Sequence, residues 1–162
     1  MTQDRAPGRA PEPARYFDDL KEGDSFITGE WTLDEAEIVD FARQFDPQPI
    51  HVDAAAAAEG PYGGLIASGF QTMALGFRLF YERGVINEAC IGGPGIDTVR
   101  FHRPARPGDS IHAAVTVAET RPSRSKPDRG YVRMAYDVRN QRDESVMSCE
   151  IVHILMRRPP AS

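Results

Sequence analysis

The chain has 162 residues, with 19 basic and 24 acidic side chains and a net charge of −5. That is the length of one domain able to bury a core. It holds no run of about 18 apolar residues, so no transmembrane helix is expected. Its two cysteines, Cys90 and Cys149, make neither a disulfide framework nor a metal motif. The charge is uneven: residues 1–99 carry 7 basic and 17 acidic groups, residues 100–162 carry 12 and 7. Such a split can mark an anionic partner, or only scatter over two solvated faces.

Residues 1–15 are rich in Pro and Arg, have no apolar stretch, and read as a disordered tail rather than a secretory signal. The expected domain runs over 16–156, followed by a short polar exit at 157–162. The expected compartment is a reducing cytoplasm, with Cys149 a buried thiol.

The first apolar segment, Phe26 to Trp31, predicts a strand. Thr32 and Glu35 have the spacing of a capping box. Ile38, Phe41, Ala42 and Phe45 then give a helical stripe that must stop before Pro47. Asp53 starts a short helix over Ala54–Ala58, ended by Gly60-Pro61. A longer helix is expected over about 68–83, with Gly84 beyond its end. Phe70, Met73, Ala74, Phe77 and Tyr81 form one stripe, while Leu75, Leu79 and Phe80 cover much of the rest. A helix apolar nearly all round is one that other structure must cover.

Gly92-Gly93-Pro94-Gly95 predicts a turn. Beyond it the period changes to two, in Val99/Phe101, Ile111/Ala113/Val115/Val117, Val132/Met134/Tyr136/Val138 and Met147/Cys149/Ile151. A strand, then helices, then a run of antiparallel strands is an α+β layout. The expected architecture is a curved antiparallel sheet wrapped around the helix at 68–83.

Two segments carry candidate chemistry. In Asp46-Pro-Gln-Pro-Ile-His51 two prolines restrict the backbone between a carboxylate and an imidazole. Such a pair can hold a water, remove its proton and return one to a substrate carbon. The same residues also suit a plain role, with Asp46 capping a turn and His51 packed. In Gly64-Leu-Ile-Ala-Ser-Gly69 a helix begins, and free amides at a helix start can bind an anion or a developing oxyanion. Ser68 there can equally be an N-cap.

Together with Phe101-His-Arg-Pro-Ala-Arg-Pro-Gly-Asp109, these segments resemble the MaoC-like dehydratases, a family that includes (R)-specific enoyl-CoA hydratases. The resemblance covers about residues 16–156. It implies a single hot-dog fold and a hydro-lyase acting on acyl thioesters in fatty acid metabolism. By resemblance, Asp46 and His51 activate the water, and Gly69, with Ser68 and Gln48, binds the substrate and its oxyanion. The chain departs from the family in having Gln48 where Asn is usual, Gln44-Phe45 before Asp46, and Ser68 where His is frequent.

The resemblance also implies coenzyme A as part of the substrate, no other cofactor and no metal. Arg103, Arg124, Lys126 and Arg129 are candidate contacts to its phosphates; the 121–129 loop equally suits a solvated hairpin. A homodimer or higher homo-oligomer is expected, since a lone hot-dog exposes a sheet edge. Neither a nucleic-acid nor a membrane partner is expected. The alternatives are an acyl-CoA thioesterase of the same fold and a non-catalytic acyl-thioester-binding protein.

Overall fold

The computed structural model describes residues 10–160. A single 3-10 turn, Phe17–Asp19, leads into two short strands, β1 (Ser25–Ile27) and β2 (Trp31–Thr32). Four helices follow: α1 (Glu35–Phe45), α2 (Pro49–Val52), α3 (Ala54–Glu59) and α4 (Gly69–Glu82). Four long strands complete the chain: β3 (Cys90–Phe101), β4 (Ser110–Pro122), β5 (Arg129–Arg139) and β6 (Ser145–Met156). All strand pairs are antiparallel, in the order β1-β4-β5-β6-β3, with β2 also on β4.

The period-two alternation sets the core. Ile111, Ala113, Val115 and Val117 of β4 face the same side as Val132, Met134, Tyr136 and Val138 of β5, and all are buried. Met147, Cys149, Ile151 and Leu155 continue that side on β6. α4 lies against it through Leu75, Leu79 and Phe80. Gly76 permits the close approach, since a Cβ there would meet Val138 Cγ2 at 2.6 Å.

The expected wrapping of the helix by the sheet is not what forms. The sheet is open and not strongly curled: β1 and β3 stand at its two ends and do not pair. α4 is a layer on one face. Its far side, with Phe70, Phe77 and Tyr81, is exposed, so apolar residues all round a helix do not here mean cover all round.

Several local expectations shift for definable reasons. The first strand is split after Ile27, where the Thr28 hydroxyl, in place of a main-chain carbonyl, accepts from the Ala113 amide at 2.8 Å and donates to the Gly29 carbonyl at 2.7 Å. Thr32 does not cap α1; its hydroxyl is taken by Ser110 Oγ at 2.6 Å across the β2–β4 pair. Asp34 caps instead, accepting from the amides of Ala36 and Glu37. The Gly92–Gly95 run lies inside β3, absorbed by irregular register rather than by a turn. The 1–15 tail falls partly outside the described residues. Its remainder is bound: the Glu12 and Arg15 amides donate to the Arg83 and Val85 carbonyls at 2.8 and 2.7 Å. The buried Arg83 guanidinium contacts the Ala10 carbonyl and the Glu12 carboxylate. In the 157–162 exit, Arg157 and Arg158 pair with Asp18 and Asp19.

Candidate active site

α1 ends at Phe45, and Asp46 is its C-cap, donating its amide to the Ala42 carbonyl at 2.8 Å. Pro47 prevents continuation. Pro49 then opens α2 at the position where a missing N–H does no harm. This added turn, absent from the sequence expectation, carries His51 inward to 5% exposure. The two prolines thus bracket a reversal that returns the imidazole to the carboxylate.

His51 Nε2 lies 3.3 Å from Asp46 Oδ2. Its Nδ1 lies 2.8 Å from the Ile66 carbonyl oxygen, which can only accept, so Nδ1 carries the hydrogen. Nε2 is therefore the atom free to take or give a proton. Asp46 is held by two donors: Gln48 Nε2 reaches Oδ1 at 2.7 Å, and the Ser68 hydroxyl reaches Oδ2 at 2.7 Å. Burial works against the Asp46 charge, but these bonds and the charge of His51 outweigh it and hold the carboxyl below its ordinary range.

Ser68 is also the N-cap of α4, accepting from the Phe70 amide at 3.2 Å. Gly69 is the first residue of α4, so its amide has no carbonyl one turn back to bond. Gly69 opens on a cleft of about 410 Å³, lined among others by Asp46, His51, Ile66, Phe101 and Arg103, while Ser68 is buried behind it. The arrangement places proton-transfer atoms and an unclaimed helix-start amide on one cavity.

Asp46, Gln48, His51, Ser68 and Gly69 thus come together. Arg103 borders the cleft, half-paired with Glu144 at 3.8 Å. Arg124, Lys126 and Arg129 do not join them within this chain. They lie in or beside the β4–β5 turn, while β4 leaves the cleft end at Ser110 and runs 13 residues, about 40 Å, before reaching it. Arg129 there is held by Asp128 at 2.8 Å. Sequence reasoning missed the Ile66 carbonyl, which no side chain announces. Arg106 bonds the Tyr62 carbonyl at 2.6 Å with its guanidinium and so fixes one wall of the cleft.

A family model described as MaoC like domain matches residues 21–138. The chain belongs to the MaoC-like family. Protein YdeM of Bacillus subtilis, itself uncharacterized, is 31% identical over 141 residues, covering 87% of this chain and 99% of that one. A 3-hydroxybutyryl-CoA dehydratase of Methylorubrum extorquens is 33% identical over 116 residues, covering 68% of this chain and 69% of its own. Among solved structures, a MaoC-like dehydratase from Rhodospirillum rubrum superposes with a TM-score of 0.84 at 38% identity, covering 90% of this chain and 99% of that one. Among the described residues no helix is long and apolar enough to cross a membrane.

Proposed function

We propose that this MaoC-like chain is a hydro-lyase that adds water reversibly across the C2=C3 bond of 2-enoyl thioesters, with coenzyme A as the carrier. The observation that carries the reading is the 3.3 Å approach of His51 Nε2 to Asp46 Oδ2 on the cleft that the Gly69 amide also faces. A water held beside the pair, within reach of both Nε2 and Oδ2, loses a proton to it as its oxygen attacks C3. The thioester carbonyl accepts from the Gly69 amide, which stabilises the enolate formed at C2. The pair then returns a proton to C2. Dehydration of a 3-hydroxyacyl thioester is the same path reversed. The dehydratase named among the relatives supports this reaction class.

Asp46→Asn keeps the shape and hydrogen-bonding reach of the side chain but removes the base. Hydration of 2-butenoyl-CoA, followed by loss of enoyl absorbance, should fall by about 10²-fold or more, with the folded state retained by circular dichroism. Wild-type activity in this variant rejects the assignment. Thiol release from an acyl-CoA faster than hydration would favour the thioesterase reading instead.

The active form is proposed to be a homodimer. β3 is an end strand with Ile91, Ile96 and Phe101 exposed, and α4 shows Phe70, Phe77 and Tyr81 beside it. Exposed apolar side chains along an open strand edge are what a second copy would cover. Sedimentation at working concentration should give twice the 17.9 kDa chain mass. For carrier phosphates, Arg103 is the proposed contact from the same chain, since it borders the cleft.

A further inference from the structure

Phe101 owes its direction to one extra residue. Asp97 pairs with Glu150 and Arg100 with Ser148, so three steps along β3 match two along β6. Thr98, at φ +51, occupies the bulge in the left-handed region that a β-branched residue rarely adopts. Because strand side chains alternate, the extra residue reverses every side chain after it. Asp97 faces outward to Arg133 at 2.7 Å, and His102 faces outward to Ser148 Oγ at 2.8 Å. Phe101, paired with the buried Met147, faces the helix side. In an unbroken strand Phe101 would point away from it.

The ring lands on the start of α4. A Cβ built on Gly69 would meet Phe101 Cε1 and Cζ at 2.5 Å each, so the ring occupies the space that any larger residue would fill. It lines the cleft while remaining 59% exposed, unlike the core aromatics. A half-exposed ring, aimed by a strained bulge at the first residue of α4, is more than core filling.

We infer that Phe101 is a specificity-determining residue: its ring walls the carbonyl end of the acyl group and selects thioesters unbranched at C2. The inference rests on the proposed hydratase reading, in which the thioester carbonyl sits on the Gly69 amide. C2 is bonded to that carbonyl carbon and so lies beside the ring. A methyl substituent on C2 competes with the ring for one volume, whereas lengthening the chain beyond C3 does not.

The experiment compares 2-butenoyl-CoA with 2-methyl-2-butenoyl-CoA on wild type, Phe101→Ala, Phe101→Leu and Phe101→Tyr. Binding of butanoyl-CoA and 2-methylbutanoyl-CoA is measured by calorimetry alongside, with oligomer mass by light scattering. Wild type should favour the unbranched substrate in kcat/KM by about tenfold or more, the scale of one misfitted methyl group. Phe101→Ala should shrink that ratio by about tenfold, mostly through KM, with Phe101→Leu between and Phe101→Tyr close to wild type. The affinity ratio of the two saturated thioesters should narrow in parallel. An unchanged ratio in Phe101→Ala overturns the inference, as does a uniform loss accompanied by a fall in oligomer mass. A wild type that binds both saturated thioesters but hydrates neither substrate overturns the hydratase reading, and the affinity ratio then decides the role of Phe101. Failure to bind either thioester overturns both.

Discussion

The Ser68 hydroxyl donates to Asp46 Oδ2 at 2.7 Å and accepts from the Phe70 amide at 3.2 Å, so one atom joins the candidate base to the start of α4. Ser68→Ala breaks both contacts. Loss of the cap should lower stability by about 1 kcal/mol. Loss of a donor to the carboxylate should raise the Asp46 pKa toward its ordinary 3.8. The acid limb of the kcat/KM profile should therefore move to higher pH. The sign for stability follows: a depressed Asp46 stabilises the fold above its unfolded pKa and loses that contribution as pH falls through the folded one. Urea melts across the acid range should show less acid sensitivity in Ser68→Ala.

His153 gives a second pH effect, away from the cleft. Its Nε2 lies 3.2 Å from the Tyr136 hydroxyl, its Nδ1 faces Cys90 Sγ at 3.9 Å, and the Phe77 ring stacks on it. Burial pushes its pKa down from 6.5 to about 4. Between those values the unfolded chain takes up a proton that the native one does not. Stability should thus fall as pH drops from about 6.5 to about 4, by about 3 kcal/mol in all. In His153→Gln, whose side-chain amide can bond the Tyr136 hydroxyl in either direction but cannot take up a proton, urea melts at pH 7 and pH 4 should differ by that much less.

Two glycines of α4 should respond oppositely to the same change. In Gly76→Ala the new methyl meets Val138 Cγ2 at 2.6 Å inside the core, with nowhere to go. Thermal melting should report a loss of about 1–3 kcal/mol. In Gly69→Ala the obstacle is the half-exposed Phe101 ring, which can swing aside. Stability should change little while hydration of 2-butenoyl-CoA drops, because the displaced ring no longer frames the first amide of α4.

The described part of the N-terminal segment is structural. A chain beginning at Tyr16 lacks the Glu12 carboxylate and the Ala10 carbonyl, and so deprives the Arg83 guanidinium of two acceptors. Hydrogen bonds to charged groups are worth about 1.5–3 kcal/mol. The shortened chain should therefore melt earlier than the full one, and Arg83→Met in the shortened chain should recover part of the difference.

How far the sequence was readable depended on the kind of interaction. Alternation in β4, β5 and β6 was plain because half of each strand meets one face and half the other. The Asp46–His51 segment was plain because its prolines are few and oddly placed. Which side of α4 would meet the sheet was not readable: Phe77 and Leu75 are equally apolar, and only the approach at Gly76 decides between them. The capping of α1 by Asp34 turned on a cross-strand partner for Thr32, 78 residues away. The tautomer of His51 turned on a main-chain carbonyl. The distance of Arg124, Lys126 and Arg129 from the cleft followed from strand direction, which composition does not carry.

The irregularity of β3 has a bearing on aggregation. An open end strand of 12 residues is a template on which any extended chain could add. This one interrupts its ladder at three points, contains Pro94 with no N–H to offer, and sets Asp97 and Arg100 along its length. A flat foreign strand would meet gaps and charged side chains after a few residues. A surface with the matching breaks would not, so the bends that aim Phe101 also restrict which chains can stack against this edge.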